Sequence, residues 1–417
     1  MAKLVIQGNG PLNGRVAISG AKNSALPCLT ACILSSEPVT LTNVPQVDDV
    51  ATMCTLLSEL GMGVRNLSHG VEIDGSSIHA HATRYDLVKA MRASILALGP
   101  LLARLGRAEI SLPGGCAIGA RPVDLHINAL KQLGAEITLE HGNIEARCTR
   151  LKGTEIYFDK VTVTGTENVL MAATLAEGTT VIHNAALEPE IEDLAHLLRA
   201  MGAQIKGEGT STIAIEGVRE LKGATHEVIP DRIETGTYVC AAAITAGHLF
   251  IDKCRPNHLS RFLEQMQRVG LPLSVNGDTI EVKPHTGLLG KDVQTMPHPG
   301  FPTDMQAQYM AVMTQAKGRS LITESIFENR FMHAVEMKRM GADIRIDGHN
   351  AIVTGPTNLS GTDVQATDLR ASASLVLAGL VADGETVIHE IQHLARGYDR
   401  LDEKLVMAGA RIERVAI

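Results

Sequence analysis

Two hydrophobic periods take turns along this chain, and their alternation itself repeats. Residues 21–34 and 94–105 are apolar at nearly every position, the pattern of a helix buried on all sides. A stretch of period two follows, as in Val39-Thr40-Leu41-Thr42, which predicts a strand with one wet face. The pattern then becomes a helical stripe. Val50, Met53, Cys54, Leu57 and Leu60 share one face while Asp49, Thr52 and Glu59 lie elsewhere, so an amphipathic helix is expected. It ends at Gly61, and glycine suits the left-handed position just past a helix. Further short strands come next, punctuated by Leu-x-Gly turns at Leu151-Lys152-Gly153, Leu221-Lys222-Gly223 and Leu359-Ser360-Gly361.

The closing glycine recurs at Gly61, Gly134, Gly202, Gly270, Gly341 and Gly409, with spacings of 73, 68, 68, 71 and 68 residues. Six units of about 70 residues therefore fill the 417-residue chain, each long enough for several elements rather than one solenoid turn. Residues 175–183 resemble 381–389, three units on, and Arg92-Ala93-Ser94 matches Arg370-Ala371-Ser372, four units on. Two domains of three units follow. The last unit lacks its Leu-x-Gly turn, and one stands instead at Leu12-Asn13-Gly14. Residues 1–20 are thus expected to complete a C-terminal domain of 230–417, leaving 21–229 as the N-terminal domain. Two connections, near Gly20 and Pro230, permit a hinge around a cleft. Three buried helices inside each domain, wrapped by sheets and amphipathic helices, amount to an α/β fold of the inverted (inside-out) barrel type.

Hydrophobic residues make up 45% and charged residues 20%, an ordinary soluble composition. Aromatics are 3% with no Trp, so the core must be aliphatic. A formal charge of −8 opposes a nucleic-acid or anionic-membrane partner. No stretch has a signal-peptide layout or the length of a membrane-spanning helix, so a cytoplasmic location is expected. The seven cysteines include no Cys-x-x-Cys, in keeping with a reducing compartment. Cys28, Cys32, Cys54 and Cys240 fall in apolar, helix-like surroundings and read as core thiols. No His-Glu-x-x-His, P-loop or Gly-x-Ser-x-Gly pattern is present, so there is no metal, nucleoside-triphosphate or serine-hydrolase signature.

Cys116 stands apart. It sits in residues 111–126 among Gly114, Gly115 and Gly119, followed by Arg121 and Pro122. A nearby cation and a helix start both favour the thiolate, so this stretch reads either as a mobile loop carrying a reactive cysteine into an anion-binding site or as a plain turn whose cysteine happens to be exposed. Other cations gather at the starts of buried helices, at Lys22 beside Asn23, Arg92, Arg232 and Arg370, and in the loops at Arg330 and Arg396. Helix starts bind anions and arginine strengthens them, which points to a polyanionic small ligand. Asp304 either caps its helix or, facing arginines, stays ionised as a general base. Glu188, Asp231 and Asp368 have comparable settings, and Glu167 is placed at a buried-helix start. Asp48, Asp49, Glu190, Glu192 and Asp193 read as helix-start acids.

Four stretches carry a resemblance: Gly20 to Pro27, the Pro113-Gly114-Gly115-Cys116 loop through His126, Phe301-Pro302-Thr303-Asp304-Met305-Gln306, and Ala366-Thr367-Asp368-Leu369-Arg370-Ala371-Ser372. They are closely similar to the enolpyruvyl transferases that act on UDP-N-acetylglucosamine, within the EPSP synthase family, and the likeness runs the length of the chain. The resemblance implies two inverted α/β domains of three units each. It implies transfer of the enolpyruvyl group of phosphoenolpyruvate to the 3-hydroxyl of UDP-N-acetylglucosamine with release of phosphate, the opening step of peptidoglycan synthesis, and no metal or other cofactor. By the same resemblance Cys116 is a proton donor able to form an adduct with phosphoenolpyruvate, and Asp304 deprotonates the sugar hydroxyl. Lys22, Arg121 and Arg396 hold phosphoenolpyruvate, with Arg330 and Arg370 nearby. Asn23, Arg92, Arg121, Pro122, Val123, Asp124, Leu125, Lys160, Val161, Thr162 and Ile326 fall on the sugar-nucleotide side. The family varies over residues 164–168. Some members have Asp where this chain has Cys116, and Cys there implies alkylation by the epoxide fosfomycin. A 3-phosphoshikimate acceptor, an RNA 3′-phosphate cyclase and a non-catalytic nucleic-acid clamp are the competing readings, and the cysteine loop and the net charge oppose them.

Overall fold

The computed structural model describes residues 2–83, 87, 91–112 and 123–416. Cys116, Arg121 and Pro122, and with them the expectations for that loop, lie outside the described residues. The described residues form two compact units, one from 20–83, 87, 91–112 and 123–229 and one from 2–19 with 230–416, and each has its own aliphatic core.

Among the described residues each unit holds three buried helices. In the N-terminal unit these are Lys22–Ala31, tightening into a 3-10 turn at Cys32–Leu34, then Leu98–Leu105, entered through a 3-10 stretch Arg92–Ala97, and Val163–Ala173. In the C-terminal unit Arg232–Ile244, Gln306–Met313 and Ser372–Gly379 pack on one another. Several serines and threonines inside these helices bond back to the preceding turn. Thr30 donates to the Leu26 carbonyl at 2.8 Å, Thr237 to Ile233 at 2.8 Å and Ser374 to Ala371 at 2.6 Å.

Among the described residues the strands form six sheets, and strand exchange between repeats links the repeats of each unit. In each sheet an antiparallel set is joined by a parallel neighbour from a different repeat. In the N-terminal unit Glu155–Tyr157 joins Thr179–His183, Ala82 bridges to Glu109, and Thr225–Glu227 returns to Val39–Thr42. The three repeats therefore close a ring. In the C-terminal unit Val293–Gln294 joins Gly318–Thr323 and Asp363–Gln365 joins Glu385–His389. The N-terminal strands close that ring. Ala2–Gln7 pairs with both Glu385–His389 and Arg411–Ala416, and Asn13–Ala17 runs parallel to His248–Asp252.

The repeat is visible bond by bond. The six closing glycines all have φ between 93° and 108°, where a side chain is strained and glycine is not. The next residue's N–H reaches back to the helix each time, from Met62 to Leu57 at 3.1 Å through to Ala410 to Leu405 at 3.0 Å. This is the bond pattern of a glycine helix stop. The carbonyl just before the glycine takes an N–H from the turn that follows. Lys152 bonds Leu133, Lys222 bonds Met201 and Ser360 bonds Met340, each at 2.8 Å. In the sixth repeat the donor is Asn13, which reaches Ala408 at 2.9 Å.

One sequence expectation needs correction. Glu167 lies inside Val163–Ala173 rather than at its start, which Thr162 caps by accepting the Gly165 N–H at 3.2 Å. Among the described residues no helix is long and apolar enough to cross a membrane.

Candidate active site

In the C-terminal unit the charged residues form one array built on helix starts. Asp368 accepts the Arg370 and Ala371 N–H groups at 2.8 and 2.7 Å, fixing the backbone that carries Arg370. The Arg370 guanidinium, 1% exposed, donates to the Gly397 carbonyl at 2.6 Å and to Asp231 at 2.8 Å, and lies 5.0 Å over the Tyr398 ring. Asp231 also caps Arg232–Ile244 through the Ile233 and Glu234 N–H groups, at 2.8 and 3.0 Å. Arg396 is half-buried on the short helix Gln392–Gly397, one residue from the carbonyl that Arg370 holds.

The second half of the array centres on Arg330. It donates to Asp304 at 2.6 Å and to the Thr303 hydroxyl at 2.7 Å, and stands 5.1 Å over Phe327. Glu324 steadies this corner by accepting from Thr303 at 2.8 Å, Thr295 at 2.9 Å and the Ile326 N–H at 2.8 Å. Asp304 is not a helix cap; no side chain caps the turn Thr303–Met305. Its carboxylate keeps 25% of its side-chain surface open. Burial raises the Asp304 pKa, but Arg330, Arg370 and Arg232 outweigh it and hold the carboxyl well below the usual range. Burial likewise works against the Arg370 charge, and Asp231, Tyr398 and Asp304 overcome it, so Arg370 is held protonated beyond the ordinary arginine range. The array thus offers an ionised carboxylate and fixed guanidinium groups, the elements needed to bind anions and accept a proton.

The N-terminal unit presents its residues separately. Lys22 donates to Asp49 at 2.9 Å, a pair with side chains 8% and 5% exposed, linking the first buried helix to Asp48–Glu59. Asn23 beside it is half-buried, as is Arg92 at the second helix start. Lys160 and Val161 are exposed just before the third. Val123 and Leu125 are half-buried and Asp124 exposed at the start of Asp124–Gln132.

Sequence reasoning missed His126, and no periodic signal marks it. Asn168 accepts the Gly99 N–H at 2.7 Å through its oxygen. Its amide nitrogen is then left to donate to the Ile95 carbonyl at 2.9 Å and to His126 Nδ1 at 3.0 Å. The ring proton accordingly sits on Nε2, which faces the Thr164 hydroxyl at 3.2 Å. Burial and, after it, Arg92 push the His126 pKa down to about 4, against a smaller opposing pull from Asp124. Asp193 is also corrected. Expected as a helix-start acid, it lies beyond the first turn of Pro189–Ala200 and is a buried group bonded to Ser24 and His226.

A family model described as EPSP synthase (3-phosphoshikimate 1-carboxyvinyltransferase) matches residues 6–405. A UDP-N-acetylglucosamine 1-carboxyvinyltransferase from Koribacter versatilis (strain Ellin345) is 55% identical over 419 residues, covering 100% of this chain and 97% of its own. Among solved structures, the enolpyruvyl transferase NikO from Streptomyces tendae superposes with a TM-score of 0.90 at 28% identity, over 100% of this chain and 99% of its own. An EPSP synthase from Acinetobacter baumannii aligns over 100% of both chains with a TM-score of 0.77 at 20% identity, a likeness of fold alone.

Proposed function

The chain belongs to the EPSP synthase family, and on that footing we propose that it transfers the enolpyruvyl group of phosphoenolpyruvate to the 3-hydroxyl of UDP-N-acetylglucosamine, releasing phosphate. The observation that carries this reading is 55% identity across the whole chain to a relative named for that activity. The reading includes a fold of two inverted α/β barrels, 21–229 and 230–417 completed by 1–20, working in the cytoplasm to supply peptidoglycan synthesis.

The residue types suit the chemistry. Cys116 gives a proton to C3 of phosphoenolpyruvate while the sugar hydroxyl oxygen bonds to C2, its own proton passing to Asp304. Loss of a C3 proton and of phosphate then restores the double bond. Lys22, Arg121 and Arg396 balance the phosphate and carboxylate charges, with Arg330 and Arg370 supporting them. Asn23, Arg92, Pro122, Val123, Asp124, Leu125, Lys160, Val161, Thr162 and Ile326 position the sugar nucleotide. A carboxylate held as low as Asp304 is a weak base. It therefore takes the hydroxyl proton as the new C–O bond forms, not ahead of it.

Phosphate release from phosphoenolpyruvate tests the reading. UDP-N-acetylglucosamine should support turnover and shikimate 3-phosphate should not, and Cys116→Ser should abolish it. A wild-type chain inactive with UDP-N-acetylglucosamine overturns the assignment. Mass spectrometry after fosfomycin treatment should find one adduct on Cys116 and none in Cys116→Ser.

A further inference from the structure

A second cluster of chemistry-bearing side chains lies in the N-terminal unit, and the transfer reaction uses none of it. Ser24 and Cys28 stand one turn apart on Lys22–Ala31, Asp193 is on Pro189–Ala200, and His226 is on the strand Thr225–Glu227. The Cys28 sulfur, an Asp193 oxygen and a His226 ring nitrogen all lie within 4.8 Å of one another. Cys28 is 0% and Asp193 2% exposed, and the His226 side chain is 12% exposed. Asp193 accepts from the Ser24 hydroxyl and from the Ile229 N–H at 3.3 Å, and its other oxygen is 2.9 Å from His226 Nε2.

Among the described residues no lysine or arginine bonds Asp193. A buried carboxylate calls for a counter-charge, and its neighbours here are a hydroxyl, an amide, an imidazole and a thiol. One thiolate, one carboxylate and one neutral imidazole together carry two negative charges, which a divalent cation cancels inside an apolar setting. Sulfur, nitrogen and oxygen donors converging from three elements form the mixed set that zinc-class ions take. We propose that Cys28, Asp193 and His226 bind one divalent ion of the zinc class, with Ser24 orienting the carboxylate. On binding, the Cys28 S–H proton passes to solvent, metal–sulfur, metal–oxygen and metal–nitrogen bonds form, and no electrons are transferred. Zinc bond lengths set tetrahedral donor atoms about 3.3–3.8 Å apart, so the Asp193–His226 hydrogen bond opens slightly and the sulfur closes in. A water beside the partly exposed His226 fills the fourth position. The ion ties the first buried helix to the strand that closes the N-terminal ring, which makes it a clip for the fold.

Titration of the metal-stripped full chain with Co²⁺ tests this. One equivalent should bind with a thiolate-to-cobalt charge-transfer absorption that Zn²⁺ displaces, and saturating Zn²⁺ should raise the melting temperature. Cys28→Ala exchanges one small buried side chain for another, and His226→Gln alters a partly exposed one. Both should weaken binding by about tenfold or more and remove the melting shift, whereas Cys116→Ser should leave both signals intact. No thiolate band in the wild type, a band unchanged in Cys28→Ala, or a band lost in Cys116→Ser overturns the proposal. The readout is independent of enolpyruvyl transfer, so its failure leaves the proposed function standing.

Discussion

The two units share one repeat and start their buried helices with different chemistry. In the C-terminal unit Asp231 caps one of the three helices, Asp368 holds the turn that leads into another, both are bound up with Arg370, and Arg330 holds Asp304 at the third. In the N-terminal unit neither Ala21 nor Met91 offers a side-chain cap, and Thr162 offers a hydroxyl. Its second and third repeats are instead joined by a neutral network of Asn168, His126 and Thr164. The backbone therefore does not dictate the electrostatics. The C-terminal array stays charged across the physiological range because opposite charges hold one another, while the N-terminal network is neutral and can be broken by protonation.

The largest expected effect lies in the C-terminal array. Asp304→Asn should lower kcat by about 10²- to 10⁴-fold in the phosphate-release assay while the chain stays folded, since Arg330 keeps its bond to Thr303. Full activity in that variant would remove the distinction between a working and a merely structural array. Next, Arg370→Leu leaves Asp231 buried without its cation and should destabilise the C-terminal unit by about 3–5 kcal/mol in urea unfolding. The N-terminal unit should unfold as before.

Acid should act on the neutral network. The folded pKa of His126 lies near 4, below its ordinary value near 6.5, so the neutral ring is favoured by folding. That stability is fully present above about pH 6.5 and is lost as pH falls through about 4, by about 3 kcal/mol in all. His126→Gln should flatten this part of the pH–stability curve. His333 in the C-terminal unit has the same sign, pushed to about 4 by burial, and should keep its own slope in that variant. The smallest effect concerns what the units share. Ala at Gly202 or at Gly409, with φ of 108° and 99° and open space around each, should cost about 1–2 kcal/mol in either unit, measured by thermal unfolding.

The repeats could be read from sequence because their signals are local. A helix buried on all sides, a period-two strand and a glycine in the left-handed region are each written in a few neighbouring residues, and six copies reinforce the reading. The displaced Leu12-Asn13-Gly14 turn was legible for the same reason. The starts of the buried helices were legible as charge, though not in their roles. Asp304 read equally well as a cap or as a free carboxylate, and only its contact with Arg330, 26 residues on, separates the two. Glu167 was misplaced because helix boundaries blur without a cap residue that stands out. The Asn168–His126 and Ser24–Asp193–His226 contacts span 42, 169 and 33 residues, separations that leave no pattern along the chain.

What the sequence determined by itself, then, is the repeat, the number of its copies, the element order within each and the family, since all of these rest on short-range hydrophobic periodicity and contiguous motifs. Tertiary structure alone decided which charges meet, which histidine is neutral and which buried carboxylate meets, among the described residues, neither lysine nor arginine. Those are properties of distance and burial, and in this fold closing each three-repeat ring sets both.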